Sequence, residues 1–219
     1  MTRTDRGRAL LDEARESFTS LQEDPTSVDL AGISAMRAKG RSAMDWLEDT
    51  DAFEEAHQAL DQIGTYVRAV RPDACELLLE DGTYFQTCPV KLAHNRVGLS
   101  TTYVIRESEC SVCHQDPWDC DHVLGELYKG EVAHVIITRA DIIEASLVSR
   151  PRQPDARITR VSLSSAELAD ELGADFSPGV TIYCGFCLSK CAGVSDSFDE
   201  RMAEIAERES DPSGDDRRE

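Results

Sequence analysis

The sequence predicts an α+β protein in which an N-terminal helical module precedes a mainly antiparallel β domain held together by clustered cysteines. Three observations predict it. Apolar residues recur 3 and 4 apart as far as about residue 71, short β-rich runs separated by turn residues take over after Pro72, and six of the eight cysteines lie in two dense clusters. The corresponding division is 1–72 for the helical module, 73–195 for the β domain with an insert at 107–130, and 196–219 for a short helix and an acidic tail.

The first helical segment carries Leu10, Ala14, Phe18 and Leu21 on one face, and the second carries Met36, Ala43 and Leu47. The third is the most regular: Phe53, Ala56, Leu60, Ile63, Val67 and Val70 alternate 3 and 4 apart, Asp51 with Glu54 has the form of a capping box, and Pro72 ends the run. Gly64 interrupts that helix at a cost of about 1 kcal/mol relative to alanine. The seam suits an intramolecular helical hairpin or a dimer, so residues 51–71 are a candidate contact surface for a protein partner, and an oligomer is compatible with the pattern.

Beyond Pro72 the β-rich runs are 75–79, 84–87, 97–106, 132–138, 142–149 and 158–163, with Asp81-Gly82 as the hairpin turn between the first two. Pro151 and Pro154 frame a loop. Ser164 or Ser165 caps a short helix ending at Gly173, and 180–183 leads into the second cysteine cluster. Phe198, Met202 and Ile205 suggest a last amphipathic helix before a charged tail at 208–219, and no internal repeat is visible.

Composition excludes several functional classes. A chain of 219 residues with 41% hydrophobic content can build a core without disulfides, and no apolar run has the length of a leader peptide or a membrane span. The expected location is the cytoplasm, where thiols stay reduced, so eight cysteines point to metal or redox chemistry. Net charge is -19, from 23 basic and 42 acidic residues, which opposes binding to phosphate backbones. The one basic patch, Arg150, Arg152, Arg157 and Arg160, reads as a solvated loop and strand edge.

Cys110, Cys113, Cys120 and His122 are spaced C-x2-C-x6-C-x-H. The two-residue gap lets two thiolates reach one ion from a tight knuckle, and the loop through Pro117 returns a third thiolate and an imidazole to close a tetrahedron. Cys3His is a zinc shell with no open position, hence structural. His114 is the rival fourth ligand. Trp118 inside the loop is expected to pack over the site or, if exposed, to anchor a partner. The second cluster, Cys184, Cys187 and Cys191, supplies three local ligands in a C-x2-C-x3-C pattern. Cys88, at a strand end before Pro89, is the favoured fourth, with Cys75, His94 and His134 as alternatives, and an iron–sulfur centre is the competing occupant. Two Zn2+ ions are therefore expected. Each can contribute about 10–16 kcal/mol, comparable to a whole domain's stability of about 5–15 kcal/mol. His57 is read as solvent-facing or half-buried on its helix and His134 as a core histidine.

Two stretches resemble the prohead (capsid maturation) protease family of tailed phages and phage-derived relatives carrying a cysteine-rich insert. Val97-Gly98-Leu99-Ser100-Thr101-Thr102-Tyr103-Val104 is similar to that family's nucleophile strand, and the run from Ala140 through Ser146-Leu147-Val148 and Pro151 to Ile158 is similar to its second strand and loop. The resemblance covers about residues 97–161. It implies a β domain related to the prohead-protease fold, with Ser100 at the nucleophile position and Glu144 at the acidic strand position. The family's upstream histidine falls here in a helical region, and Thr102 replaces a small glycine, so a serine without a base is expected. The resulting expectation is a non-catalytic, zinc-stabilised structural or interaction subunit of a phage, prophage or mobile-element assembly. The alternatives are a serine endopeptidase acting on a capsid or partner protein, and a zinc-finger regulator.

Overall fold

Thr2 opens the first helix through a reciprocal capping box with Asp5, and in the computed structural model, which describes residues 2–194, α1 then runs over Arg3–Glu23. Asp29 caps α2 (Leu30–Trp46) by accepting from Gly32 N at 2.7 Å. The third helix, α3 (Phe53–Val70), starts at Ala52 with no side-chain cap. Asp51 and Glu54 thus make no capping box; Glu54 instead accepts from the Gln58 amide at 2.8 Å, one helical turn on. The apolar seam of α3 is turned inward, and Ala56, Leu60, Ile63 and Val67 are fully buried within the chain.

After a turn of 3-10 helix at Pro72–Cys75, strands β1 (Leu78–Glu80) and β2 (Thr83–Gln86) pair antiparallel around Asp81-Gly82. Both turn residues have positive φ, 48° and 78°, as a two-residue hairpin turn requires. Pro89 then starts a short helix, α4 (Pro89–Ala93), in a stretch that carries no periodic signal of its own. Two long strands follow, β3 (Gly98–Cys110) and β6 (Val135–Val148), each one continuous element where shorter runs were expected, with the small hairpin β4 (Leu127–Tyr128) and β5 (Glu131–Val132) between them. Strand β7 (Val161–Leu163) completes the β1-β2-β7 sheet, with Tyr84 opposite Leu163. Ser164 caps α5 (Ser165–Leu172) with a full capping box, and Gly173 ends it at φ 58°. The expected helix around Phe198, Met202 and Ile205 and the tail at 208–219 lie outside the described residues.

The chain divides at 98/99 and 147/148 into two compact units, not at 72/73. Among the described residues, one unit comprises those up to Gly98 with those from Val148 to Val194; the other is Leu99–Leu147. The physical reason is a shared core: Leu10, Met44, Leu47 and Leu60 from the helices pack in one cluster with Leu77, Tyr84, Val90 and Leu168. The architecture is mixed helix and antiparallel sheet, an α+β arrangement. Among the described residues no helix is long and apolar enough to cross a membrane.

A buried ionic network fastens the first unit where the second begins and ends. Arg96 donates to Asp45 at 2.6 Å and to Glu48 at 3.0 and 2.9 Å, and both Arg96 and Asp45 are 2% exposed. Arg157 pairs with the same Glu48 and donates to the Arg96 carbonyl at 2.9 Å. Gly98 bridges Arg157, and Ile158 N donates to Val97 O at 3.2 Å, so the strands at 97–98 and 157–158 lie side by side.

Two outcomes follow. Arg96→Leu should cost about 3–5 kcal/mol in urea unfolding, because Asp45 and Glu48 would be left buried without their best partner; a loss under about 1 kcal/mol would show that the network does not hold the fold. Residues 73–219 expressed alone should aggregate, since the β sheet would lose its helical cover; a soluble, cooperatively unfolding fragment would mean that the shared core is dispensable.

Candidate metal centres

The first centre lies in the 99–147 unit. At the end of β3 the chain turns sharply, with His114 N donating to Cys110 O at 2.8 Å and His114 at φ 58°. This knuckle aims the backbone N–H groups of Cys113 and then Val112 at the Cys110 sulfur, which holds its pKa below the ordinary thiol value. Cys110, Cys113, Cys120 and His122 bring one ligand atom each within 4.8 Å of all the others. The Cys110 Sγ to His122 Nδ1 separation is 3.8 Å. Donors bound to one zinc at about 2.3 and 2.05 Å with a tetrahedral angle stand about 3.6 Å apart, so the donor set fits. Tyr128 meets the His122 ring edge-on at 4.5 Å, and Ser111 N donates to His134 O at 2.9 Å, tying the knuckle to the start of β6.

His114, the rival ligand, is turned outward, its Nδ1 2.8 Å from Glu109. Trp118 does not pack over the site: it is 93% exposed. His134 is exposed rather than in a core, with its Nδ1 3.0 Å from the Val132 carbonyl.

The second centre lies in the other unit and has a different make-up. His57 and Asp61, one turn apart on α3, converge with His94 after α4 and with Cys191, their ligand atoms all within 4.8 Å. His57 is buried because these groups cover it, so it is not the solvent-facing residue that its helix position suggests. The Nε2 atoms of His57 and His94 face each other at 3.0 Å, Asp61 oxygens lie 3.4 and 3.1 Å from them, and Cys191 Sγ is 3.5 Å from His57 Nε2. Four donors of three kinds at tetrahedral-edge separations fit a single ion. His94 Nδ1 is 2.7 Å from the Val90 carbonyl, an arrangement that leaves Nε2 free to bind metal.

Without an ion the charges are balanced by Asp61. Burial works against the Asp61 carboxylate, but hydrogen bonds from His94 and Cys191 outweigh it and lower its pKa. Burial likewise pulls His94 down, and Asp61 and the Val90 carbonyl outweigh it and raise it. Burial raises the Cys191 thiol, and Asp61 adds to that against the opposing Gly193 N–H, so its pKa lies above the ordinary thiol value.

No protein-family model matches the chain, and no curated protein or solved structure matches it significantly.

The remaining predicted residues fall as follows. Cys191 stands with the histidines and not with Cys88, Cys184 and Cys187. Cys88 and Cys184 are buried and joined by a hydrogen bond that, against the cost of burial, holds the Cys184 thiol down to about 5. Cys187 is pushed up to about 12 by burial and by the nearby Cys184 and Cys75. Ser100 is half-buried on β3, and the exposed Glu144 accepts from Ser146 at 2.8 Å. His57 and Asp61 were missed as ligands; the signal for them was a histidine and an acid at i and i+4 on one helix face.

Gly64, two turns after His57 on the same helix, is where α3 meets the C-terminal cysteine loop. A Cβ there would stand 2.8 Å from Cys187 Sγ and 2.9 Å from Val90. By helix propensity alone Gly64→Ala would add about 1 kcal/mol of stability. We expect it to destabilise instead, with a lower thermal midpoint and less bound metal; a midpoint raised by several degrees would mean that α3 and the loop do not approach this closely.

Proposed function

We propose that this protein is a non-catalytic, zinc-stabilised structural or interaction subunit whose working surface is the β3/β6 ribbon. The observation that carries the reading is the closed Cys110/Cys113/Cys120/His122 quartet joined to a ribbon whose apolar side chains face solvent. Tyr103, Val104 and Ile105 are consecutive, so they lie on both faces, and all three are exposed. Ile142 and Ile143 repeat the pattern on the other strand at 71% and 64% exposure. An isolated two-stranded ribbon is marginal in water, and exposed apolar surface on this scale marks a site of protein contact. The resemblance to prohead-protease relatives favours a phage, prophage or mobile-element assembly as the setting.

Zinc is the ion we assign to both quartets. Thiolate and imidazole donors in tetrahedral array suit it, and four protein ligands leave no position for a reactive water. The ions would stabilise the fold and would not take part in chemistry. Support for a non-catalytic role also comes from the histidines, each engaged elsewhere: His57 with His94, His94 with Asp61, His114 with Glu109, His122 with Cys110 and His134 with the Val132 carbonyl. A serine nucleophile needs such a base within about 2.6–3.2 Å. An open cleft of about 1130 Å3 along α3, lined by Phe53, His57, Tyr66 and Phe186 among others, is a second surface suited to a partner.

The test uses the full chain purified with its native metal. Cys120→Ser should lose about one zinc per chain and keep the His57 centre, and serine-directed phosphonates should leave Ser100 unlabelled. Ile142→Lys with Ile143→Lys should leave metal content unchanged and abolish association with the partner recovered from the host complex. Phosphonate labelling of Ser100 would move the reading to a serine endopeptidase. A metal-free, fully folded chain would end the zinc-stabilised reading.

A further inference from the structure

The one basic patch of the sequence is mostly neutralised in the fold. Arg150 pairs with Asp49 at 2.9 Å, Arg157 with Glu48 and Arg160 with Glu80. Arg152 has no such partner, and it lines an open cavity of about 370 Å3 together with Arg3 and Arg6 of α1 and with Trp46 and Pro154. Among the described residues none of these three guanidinium groups makes an ion pair or a side-chain hydrogen bond. Nearby acids are engaged elsewhere: Asp5 accepts from the Thr2 N–H at 2.9 Å, Glu13 pairs with Lys39 at 2.9 Å, and Asp155 accepts from the Trp46 indole N–H at 2.7 Å.

A second observation concerns α1 itself. Arg3 and Arg6 stand three residues apart in its first turn, so both lie on one face. Like charges at that spacing repel, and cations at a helix N-terminus oppose the macrodipole. Among the described residues no contact offsets that cost, and Arg152 brings a third cation to the same cavity. A local rule broken in this way marks a functional site more often than an error of folding. The loop that carries Arg152 is also built before any ligand arrives. Pro151 and Pro154 are buried, Ala156 N donates to Gln153 O at 3.0 Å, and the Trp46–Asp155 bond ties the loop to α2.

We propose that this cavity binds the phosphate group of a small, ring-bearing phosphomonoester. Guanidinium forks match phosphate oxygens in bidentate pairs, and three of them outweigh the roughly two negative charges that such a group carries. The volume lies at the lower end of the range for small-molecule sites, about 300–1,000 Å3, so the cavity suits a small molecule. Trp46 and Pro154 supply apolar surface for a ring, and the indole N–H is already engaged with Asp155, which leaves the rest of the indole for that contact. A net charge of -19 repels polymeric phosphates from the chain as a whole, whereas the cavity is locally cationic. No residue of either metal centre takes part, so the site stands apart from the structural role proposed above.

The experiment is titration calorimetry on the full chain with phenyl phosphate, inorganic phosphate and benzoate. Phenyl phosphate should bind with a Kd below about 1 mM at low salt, more tightly than inorganic phosphate, and should weaken as ionic strength rises. Arg3→Gln/Arg6→Gln/Arg152→Gln should weaken it at least about tenfold. Metal content should be unchanged in that variant, and its thermal midpoint without ligand equal or higher, since the repulsion in α1 is relieved. In a Trp118→Phe background Trp46 is the one tryptophan left, and its emission should change with the same midpoint as the heat. Full affinity in the triple variant, no heat or emission change with phenyl phosphate, or benzoate bound as tightly as phenyl phosphate would overturn the inference. A short oligothymidylate that binds more tightly than phenyl phosphate and is lost in the triple variant would also overturn it, in favour of a nucleic-acid ligand. The titration is read without reference to zinc, so failure of the metal assignment leaves its outcome decisive.

Discussion

Where α2 ends, two carboxylates and two arginines are buried together, and the rest of the molecule is arranged around them. Asp45 and Glu48 come from the helical part, Arg96 from the segment after α4, and Arg157 from the return of the chain after β6. Burial raises the Asp45 pKa, and the three arginines around it act in the opposite sense. Such a group of charges adds little net stability against an apolar replacement, but removing one member is costly. Its value is positional. The juxtaposition of α2, residue 96 and residue 157 brings the four side chains together, with the Arg157 Nε 3.6 Å from Asp45 and left without a hydrogen bond, and it sets the two backbones at 97–98 and 157–158 in contact, where the excursion to the second unit leaves and rejoins. Helices and sheet therefore form one unit, however sharply the residue pattern changes at Pro72.

The same economy appears along α3. Its inward face buries Leu60, Ile63 and Val67, and its flank presents His57 and Asp61 to His94 and Cys191. Gly64 leaves room for Cys187 and Val90. One helix thus contributes at once to the core and to a side-chain cluster that could hold a metal ion. The heptad-like spacing that resembles a dimer seam is satisfied inside the chain, and Phe186 closes the arrangement by packing against the His94 ring at 4.7 Å.

What was legible in the sequence was local. The Cys110–His122 spacing, the Asp81-Gly82 turn, the Ser164 cap and the periodicity of α3 each depend on residues within about a dozen positions, and local geometry alone brings them together. What was not legible depends on distant pairings. His57 and Cys191 are 134 residues apart, and nothing in either neighbourhood says that they meet. The C-x2-C-x3-C spacing reads as one site, yet its last cysteine turns to the histidines, because Asp61 and His57 on α3 stand where Cys191 arrives. Trp118 escaped for a different reason: an aromatic residue in a metal loop is expected to find a surface to lie on, and this one stands in solvent. Ser100 and Glu144 sit on strands of a ribbon, half-buried and exposed respectively, and the Glu144 carboxylate is engaged by the Ser146 hydroxyl.

The two quartets also differ in what each demands of the chain before it can close. Cys110 and His122 are 12 residues apart, whereas Cys191 and His57 are 134. Loop-closure entropy grows as about (3/2)RT times the logarithm of loop length, so the distributed quartet starts about 2 kcal/mol behind the local one before any contact is made. With its ligands so close in sequence, the local knuckle would need no distant contact to close around an ion, as in isolated zinc-binding peptides. The distributed quartet can close only after α3, α4 and the C-terminal loop have met through the core that they share. Metal at the knuckle would thus shape a segment, while metal on His57, Asp61, His94 and Cys191 would fasten a unit already assembled, and that difference follows from ligand spacing alone.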